Sequence, residues 1–164
     1  MQARFALKLT QNGRVIAERR TRNTVMASGA QIVASLFAGT GVPVTHMAVG
    51  ISDATPEDTA LTALTNTGDE ALTGETVGPV APGSVRFETD QVRRVVRVFM
   101  RATLPNAAAV GTIREAGLIA RRPDPDGDTL YNRVTFAPVV KADDHELTLF
   151  WEVEFPFGDL SALA

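Results

Sequence analysis

The chain has 164 residues, enough for one domain with its own hydrophobic core, and no cysteine, which excludes disulfides, thiolate zinc sites and thiol nucleophiles. Its formal net charge of −3 argues against a partner bound through phosphates, so we do not expect nucleic acid. Because no apolar run reaches the roughly 18 to 20 residues of a membrane span, we expect a soluble protein that is made in the cytoplasm and has no membrane partner.

Residues 4–21 predict a β-hairpin. The first part alternates, with Phe5, Leu7 and Leu9 on one face. Asn12-Gly13 follows, and this pair favours a type I′ turn because both positions need positive φ. Residues 15–21 then return as a strand that is polar on both faces, which is typical of a sheet edge.

An α-helix is predicted over residues 24–38. Apolar side chains recur there at helical spacing, Asn23 is a candidate N-cap, and Gly39 is a candidate stop after the last turn. No charged residue occurs from 23 to 45, although surface helices normally carry charge on their wet side. The helix is therefore expected to pack on a sheet, and its uncharged outer face, with Gln31, is a candidate subunit contact.

Residues 53–90 differ from the rest of the chain in composition. They are rich in Thr, Asp, Glu, Gly and Pro, with Arg86 as their only basic residue, and predict a long surface loop. Residues 91–104 then form a predicted strand that places Arg93, Arg97 and Arg101 on one face.

The last strand, predicted over residues 145–155, organises the domain. It alternates strictly, with the only tryptophan, Trp151, on the apolar face and with Phe150, Glu152 and Glu154 on the other. If this strand and 91–104 are antiparallel neighbours, the arginine row and the glutamate row form a ladder of cross-strand ion pairs, each contributing about 0.2 to 1 kcal/mol when exposed. Alternatively, the arginines face an acidic patch on another subunit.

Six residues are candidate contacts with other subunits, drawn from the arginine row, the helix, the last strand and a short C-terminal tail over residues 156–164. They are Arg93, Arg97, Arg101, Gln31, Phe150 and Phe157.

No catalytic, cofactor or metal site is predicted. Asp124, Asp126 and Asp128 alternate as calcium ligands do, but Gly127 and Thr135 occupy the wrong positions for an EF-hand, so the segment is interpreted as a hairpin turn. His46 and His145 do not stand in a metal-binding spacing. Since no nucleophile motif or phosphate-binding loop occurs either, we do not expect an enzyme.

Several longer stretches resemble a broad group of small tailed-phage virion proteins, described as tail or tail-fibre proteins. These stretches are RNTVMASGAQIVASLFAG, MAVGISDATPEDTAL, TIREAGLI and LYNRVTFAPVVKADDHELTLFWEVEF. The matching residues include Gly29, Leu36, Gly39, Val49, Gly50, Pro56, Asp58, Thr59, Leu61, Glu115, Ala116, Gly117, Leu118, Asn132, Arg133, Phe136, Pro138, Lys141 and Trp151. After Leu64 the chain departs from the group, because its loop is rich in Thr and Gly where the group often carries charge. The resemblance implies a structural part of a particle and carries over no catalytic residue.

The sequence therefore predicts one mainly β domain over residues 1–164, an antiparallel β-sandwich or twisted sheet with one packed helix. The expected function is a structural component of a tailed phage or phage-like particle, in a tail, baseplate or fibre attachment. It would be located in the virion after synthesis in the host cytoplasm, and its partners would be other virion proteins and further copies of itself. The alternative is a receptor- or carbohydrate-binding module of the same particle, with Tyr131 and Phe150 as candidates for stacking on a sugar.

Overall fold

A computed structural model describes residues 2–54, 58–123 and 127–158, and most of them lie in β-strands. In chain order the elements are β1 (Gln2–Gln11), β2 (Arg14–Arg22), β3 (Thr24–Val25), α1 (Ala27–Phe37), β4 (His46–Gly50), β5 (Val77–Pro79), a 3₁₀ turn (Pro82–Ser84), β6 (Arg86–Asp90), β7 (Val95–Leu104), β8 (Gly111–Arg121), β9 (Asp128–Lys141) and β10 (His145–Pro156). The described part of the chain has no helix long and apolar enough to cross a membrane.

The strands form two five-stranded antiparallel sheets that share one core. Sheet A has the order β2-β1-β10-β7-β6, and sheet B has the order β3-β9-β8-β4-β5. Their inner faces meet around Phe5, whose ring lies 4.7 Å from that of Trp151 and 5.5 Å from that of Phe136 on β9. The predicted mainly β sandwich with one helix is confirmed, and β10 occupies the centre of sheet A as its alternation requires.

The N-terminal hairpin forms as predicted. Asn12 and Gly13 have φ values of 50° and 77°, the left-handed backbone that this turn needs. β2 lies at the edge of sheet A, as the polar character of both its faces indicates.

The helix begins later than predicted, at Ala27 rather than at residue 24. Thr24 and Val25 instead pair with β9, so that β3 takes the residues that helical spacing assigned to the first turn. Asn23 is not the cap, since Met26 holds that position without a side-chain hydrogen bond. Gly39 does end the helix, with φ at 71°.

The predicted loop over residues 53–90 is shorter than expected, because β5, the 3₁₀ turn and β6 lie within it. β6 is an edge strand with no buried residue, so its sequence lacks the apolar alternation that identifies a strand. Residues 91–94 are a turn rather than the start of a strand, since the Asp90 carboxylate accepts the N–H groups of Val92 and Arg93. Val92 is consequently 95% exposed, not buried.

Two predicted features fall partly outside the described residues. The aspartate turn includes residues 124–126, which are not described, but Arg121 and Asp128 on either side pair in antiparallel register, as a hairpin requires. Residues 159–164 of the predicted tail are likewise not described. Phe157 is, and its N–H donates to the carbonyl oxygen of Arg94 at 2.9 Å.

Candidate functional site

The outer face of sheet A concentrates arginines that are far apart in the sequence. In the sheet register Arg22 on β2 lies opposite Arg4 on β1, and Arg4 in turn lies opposite Glu152 on β10. Glu152 lies opposite Phe99 on β7. Because side chains alternate along each strand, this whole row points away from the core and towards solvent.

A groove runs along this face because a residue with a small side chain lies in its middle. Ala6 lies between Arg20 on β2 and Phe150 on β10, and its methyl group leaves a depression between these two larger side chains. The groove has a volume of about 460 Å³. We call it the arginine groove and define it by the side chains of Arg4, Ala6, Arg20, Arg22, Phe99, Phe150 and Glu152.

Next to the groove, part of the predicted ladder of ion pairs is present, since β7 and β10 are antiparallel neighbours, but Arg101 has no carboxylate partner among the described residues. Arg97 lies 3.9 Å from Glu152 and also contacts Glu88 on β6 at 3.7 Å. Arg93 belongs to the turn, yet its guanidinium reaches both carboxylate oxygens of Glu154, at 2.8 and 3.1 Å. These acids neutralise the end of sheet A that carries Arg93 and Arg97.

The cations of the groove itself are not neutralised to the same degree. Among the described residues, the side chains of Arg4 and Arg22 have no carboxylate or hydrogen-bond partner, and neither does that of Arg101, which lies outside the groove opposite Phe150. Arg20 pairs with Glu18 at 2.6 Å, but its side chain is 76% exposed. Like charges directly opposite each other in a sheet are destabilising, so the juxtaposition of Arg4 and Arg22 favours binding of an anionic group.

Two phenylalanine rings form the apolar part of the groove. The Phe150 ring lies 5.8 Å from the ammonium group of Lys8, and the Phe99 ring lies 4.2 Å from the guanidinium of Arg86. Both rings are half-buried. The groove thus combines arginines with aromatic rings, the residue types that are enriched at protein–protein contacts.

The six predicted contact residues are not brought together. Arg97, Arg101 and Phe150 lie on the outer face of sheet A, with Arg93 at its end. Gln31 is exposed on α1, which packs on β9 of the other sheet, so it does not reach the groove. Phe157 is half-buried beside the turn at residues 91–94, and whether any of the six contacts a partner stays a prediction.

Sequence reasoning missed Arg4, Arg20, Arg22 and Phe99. Alternation in the first predicted strand places Arg4 away from the core, but Arg20 lies in a stretch that is polar on both faces and Arg22 lies beyond the predicted hairpin. A local pattern does not reveal the groove, because the pairing of β1 with β10 joins residues about 150 positions apart in the chain.

Tyr131 is not a surface stacking residue, contrary to the expectation for a sugar site. It is 3% exposed, and burial raises the pKa of its hydroxyl to about 12. Of the two residues predicted for stacking, only Phe150 is available at the surface.

A second polar cluster is buried in sheet B. Glu115 on β8 and Arg133 on β9 are each about 1% exposed, and the Arg133 Nε donates to Glu115 Oε2 at 2.5 Å. Glu115 Oε1 accepts the N–H groups of Thr65 and Ser52, at 2.8 and 3.3 Å. Arg133 also donates to the carbonyl oxygen of Ala54 at 2.9 Å. The pair therefore holds Ser52, Ala54 and Thr65 against the outer face of sheet B.

This cluster explains why several residues of the resemblance occur together. A Cβ at Gly50 would collide with the Glu115 carboxylate, and one at Gly117 would collide with the Leu130 side chain and the Asn132 carbonyl oxygen. The side-chain oxygen of Asn132 accepts the N–H of Leu118 at 3.1 Å. These positions determine the packing of sheet B.

Lys141 is buried, whereas the two histidines of the chain are half-buried. The Lys141 ammonium donates to the carbonyl oxygens of Pro105 and Asn106, at 3.0 and 2.8 Å, and burial lowers the pKa of this lysine. Burial, followed by the positive charge of Arg121, lowers the pKa of His46. His145 accepts the N–H of Ala142 through Nδ1.

No group of three or more histidine, aspartate or glutamate side chains among the described residues has the arrangement of a metal site. Comparison of this chain with known protein families, with curated proteins and with solved structures gives no match.

Proposed function

We propose that this chain is a structural component of a tailed phage or phage-like particle, in its tail, baseplate or fibre attachment. It acts through repeated protein–protein contacts with other virion proteins and with further copies of itself, and it is located in the virion. The proposal starts from the resemblance of its helix, strand β8 and C-terminal strands to small tailed-phage virion proteins.

The arginine groove is the observation that carries the proposal. It is an open surface of the sandwich that combines unpaired arginines with two phenylalanine rings, and such surfaces are typical of protein contacts. A strand of nucleic acid is disfavoured here, because the chain has a formal net charge of −3 and the groove offers only three arginines to a polyanion. An acidic or amphipathic protein segment fits this mixture of charge and apolar surface.

The direct test is the composition of particles from the strain that encodes the chain. Particles purified on a density gradient are expected to contain the protein at a fixed copy number by quantitative mass spectrometry. The variants Arg4→Glu and Arg22→Glu should reduce its incorporation at least about tenfold, since each replaces an attraction by a repulsion. Arg14→Glu is the matched control, because it makes the same charge change at the far end of β2. Absence of the protein from particles would overturn the proposal.

A second candidate is a receptor- or carbohydrate-binding module of the same particle. The observation that favours it is the pair of half-buried rings, Phe99 and Phe150, which offer apolar faces to a sugar while the arginines bind its acidic groups. An array of acidic glycans tests this function. Binding that is lost in Phe150→Ala would support it, and an array without hits would remove it.

A further inference from the structure

The arginine groove has a chemical complement on the other side of the same molecule. Residues 53–85 contain acidic residues at positions 53, 57, 58, 69, 70 and 75 and no lysine or arginine. In the part described from residue 58 onwards, Leu61 and Leu64 pack against Ile119 and Leu130 of sheet B, and Glu70 pairs with Arg114 on β8 of the same sheet. Sheet A therefore carries an outer face with unpaired arginines, and the acidic segment contacts sheet B.

One part of this segment forms an ordered, projecting turn. The side chain of Asn66 accepts the N–H of Leu72 at 2.7 Å and donates to its carbonyl oxygen at 3.3 Å, which closes the intervening residues into a loop. Gly68 has φ at 86°, and the Ala71 N–H donates to the Gly68 carbonyl oxygen at 3.2 Å. All four residues from 67 to 70 are exposed. We call these residues the acidic turn.

The charges of the acidic turn are available to a partner. The Asp69 side chain has no cationic partner among the described residues, and Glu70 pairs with Arg114 at 3.1 Å while its own side chain remains 73% exposed. Because hydrogen bonds already fix the backbone of the turn, docking it costs less conformational entropy than docking a flexible segment.

We propose that the acidic turn of one copy binds in the arginine groove of the next copy. Asp69 and Glu70 would lie between Arg4, Arg20 and Arg22. The two surfaces are different patches of the molecule, so the contact is heterologous, and an open assembly keeps one free groove at one end and one free turn at the other. Such contacts generate a ring if the rotation closes and a filament if it does not. The inference rests on the proposed function, for which it names the partner of the groove as a second copy of this chain.

The first experiment is a charge exchange followed by sedimentation and light scattering. At about 0.05 M salt the mass of the full chain should rise with concentration, and it should return to that of one copy at about 1 M salt, where charges are screened beyond about 3 Å. Arg22→Glu and Asp69→Lys should each weaken association roughly three- to tenfold. An equimolar mixture of the two variants should restore it, because each altered surface then meets its complement.

Arg14→Glu serves as the control, since it makes the same charge change outside the groove and should leave association unchanged. A chain that remains a single copy up to about 1 mM at low salt would overturn the inference, because a contact with a Kd above about 1 mM is too weak to build an assembly. So would variants that weaken association singly but are not rescued by mixing.

A second experiment uses the absence of cysteine in the chain. Arg22→Cys and Asp69→Cys, mixed and treated with a bis-maleimide crosslinker whose spacer is about 10 Å long, should form a covalent pair, because docking brings the two positions together but an arginine–aspartate contact leaves their backbones too far apart for a direct disulfide. Arg22→Cys mixed with Val92→Cys is the control, since Val92 is 95% exposed at a turn outside the contact. Equal yields from both mixtures would count against the inference.

The two proposals fail in different ways. If the chain does not self-associate but the Arg22→Glu variant is still not incorporated into particles, the groove binds another acidic virion protein. That result refutes only the inference of self-association. If the covalent pair forms but particles lack the protein, the contact between copies is supported and the proposed function is refuted.

Discussion

Replacing Glu115 by Gln tests the energetic account of sheet B most directly. The substitution keeps the shape of the side chain but removes the only carboxylate that pairs with Arg133 among the described residues, and the guanidinium is about 1% exposed. A buried charge without its partner is costly, because neither water nor an opposite charge compensates for its lost hydration.

The expected magnitude follows from which contacts survive. Loss of one partner of a buried ion pair costs about 3–5 kcal/mol. The Gln amide oxygen still accepts the N–H of Thr65, so we expect the lower end of this range, about 3 kcal/mol. For a domain of this size that corresponds to a decrease in Tm of about 6–12 °C. Arg133→Met should cost less, because Thr65 and Ser52 still donate to the Glu115 carboxylate.

Urea denaturation of the single variants and of the double variant measures these values. The double variant should be less destabilised than the sum of the singles by about 1–3 kcal/mol, since the two residues form one pair. The matched control is Glu70→Gln, which breaks the exposed pair with Arg114 and should cost under about 0.5 kcal/mol. A loss below about 1 kcal/mol for Glu115→Gln would refute the reasoning.

Three further predictions concern other buried positions. Gly29→Ala should destabilise the protein by more than about 1 kcal/mol in thermal unfolding, because its Cβ meets the β9 backbone, whereas Gly83→Ala, with open space around it, should not. Lys141→Met should cost about 1–3 kcal/mol in urea denaturation, since it removes the donor to the Asn106 carbonyl oxygen and one of the two donors to the Pro105 carbonyl oxygen, and an unchanged midpoint would contradict this role. The pKa of His46 is lower in the fold than in the unfolded chain, so the unfolded state binds more protons below pH 6.5. Stability should therefore decrease as the pH falls through that range, and His46→Gln should lose this part of the pH dependence.

The elements that the sequence predicted well are those with a strong local signal. The alternation of β10 reproduces the geometry of a strand with one buried face, and Asn12-Gly13 is chosen by the φ values of its turn. Gly39 ended the helix as predicted for the same kind of reason. In each case the backbone conformation of a few adjacent residues determines the residue types, so a short stretch of sequence is sufficient to predict the local structure.

Predictions went wrong where a distant segment competed with the local preference. Thr24 and Val25 continue the helical spacing, but β9 pairs with them and converts them into a strand. β6 has no buried face to give an apolar pattern and exists because β7 pairs with it. The difference is physical, since hydrogen bonds to a neighbouring strand outweigh the small free-energy differences between local conformations.

The sequence by itself determined the mainly β class, the final strand with its tryptophan, and the hairpin turn. It predicted the ladder of arginines and glutamates only on the condition that two particular strands are antiparallel neighbours. Only the tertiary structure decided which strands are neighbours. That order places Arg4 beside Arg22 and Ala6 between Arg20 and Phe150, and it buries Glu115 against Arg133. Strand order is a property of contacts between segments far apart in the chain, and neither composition nor periodicity within one segment records it.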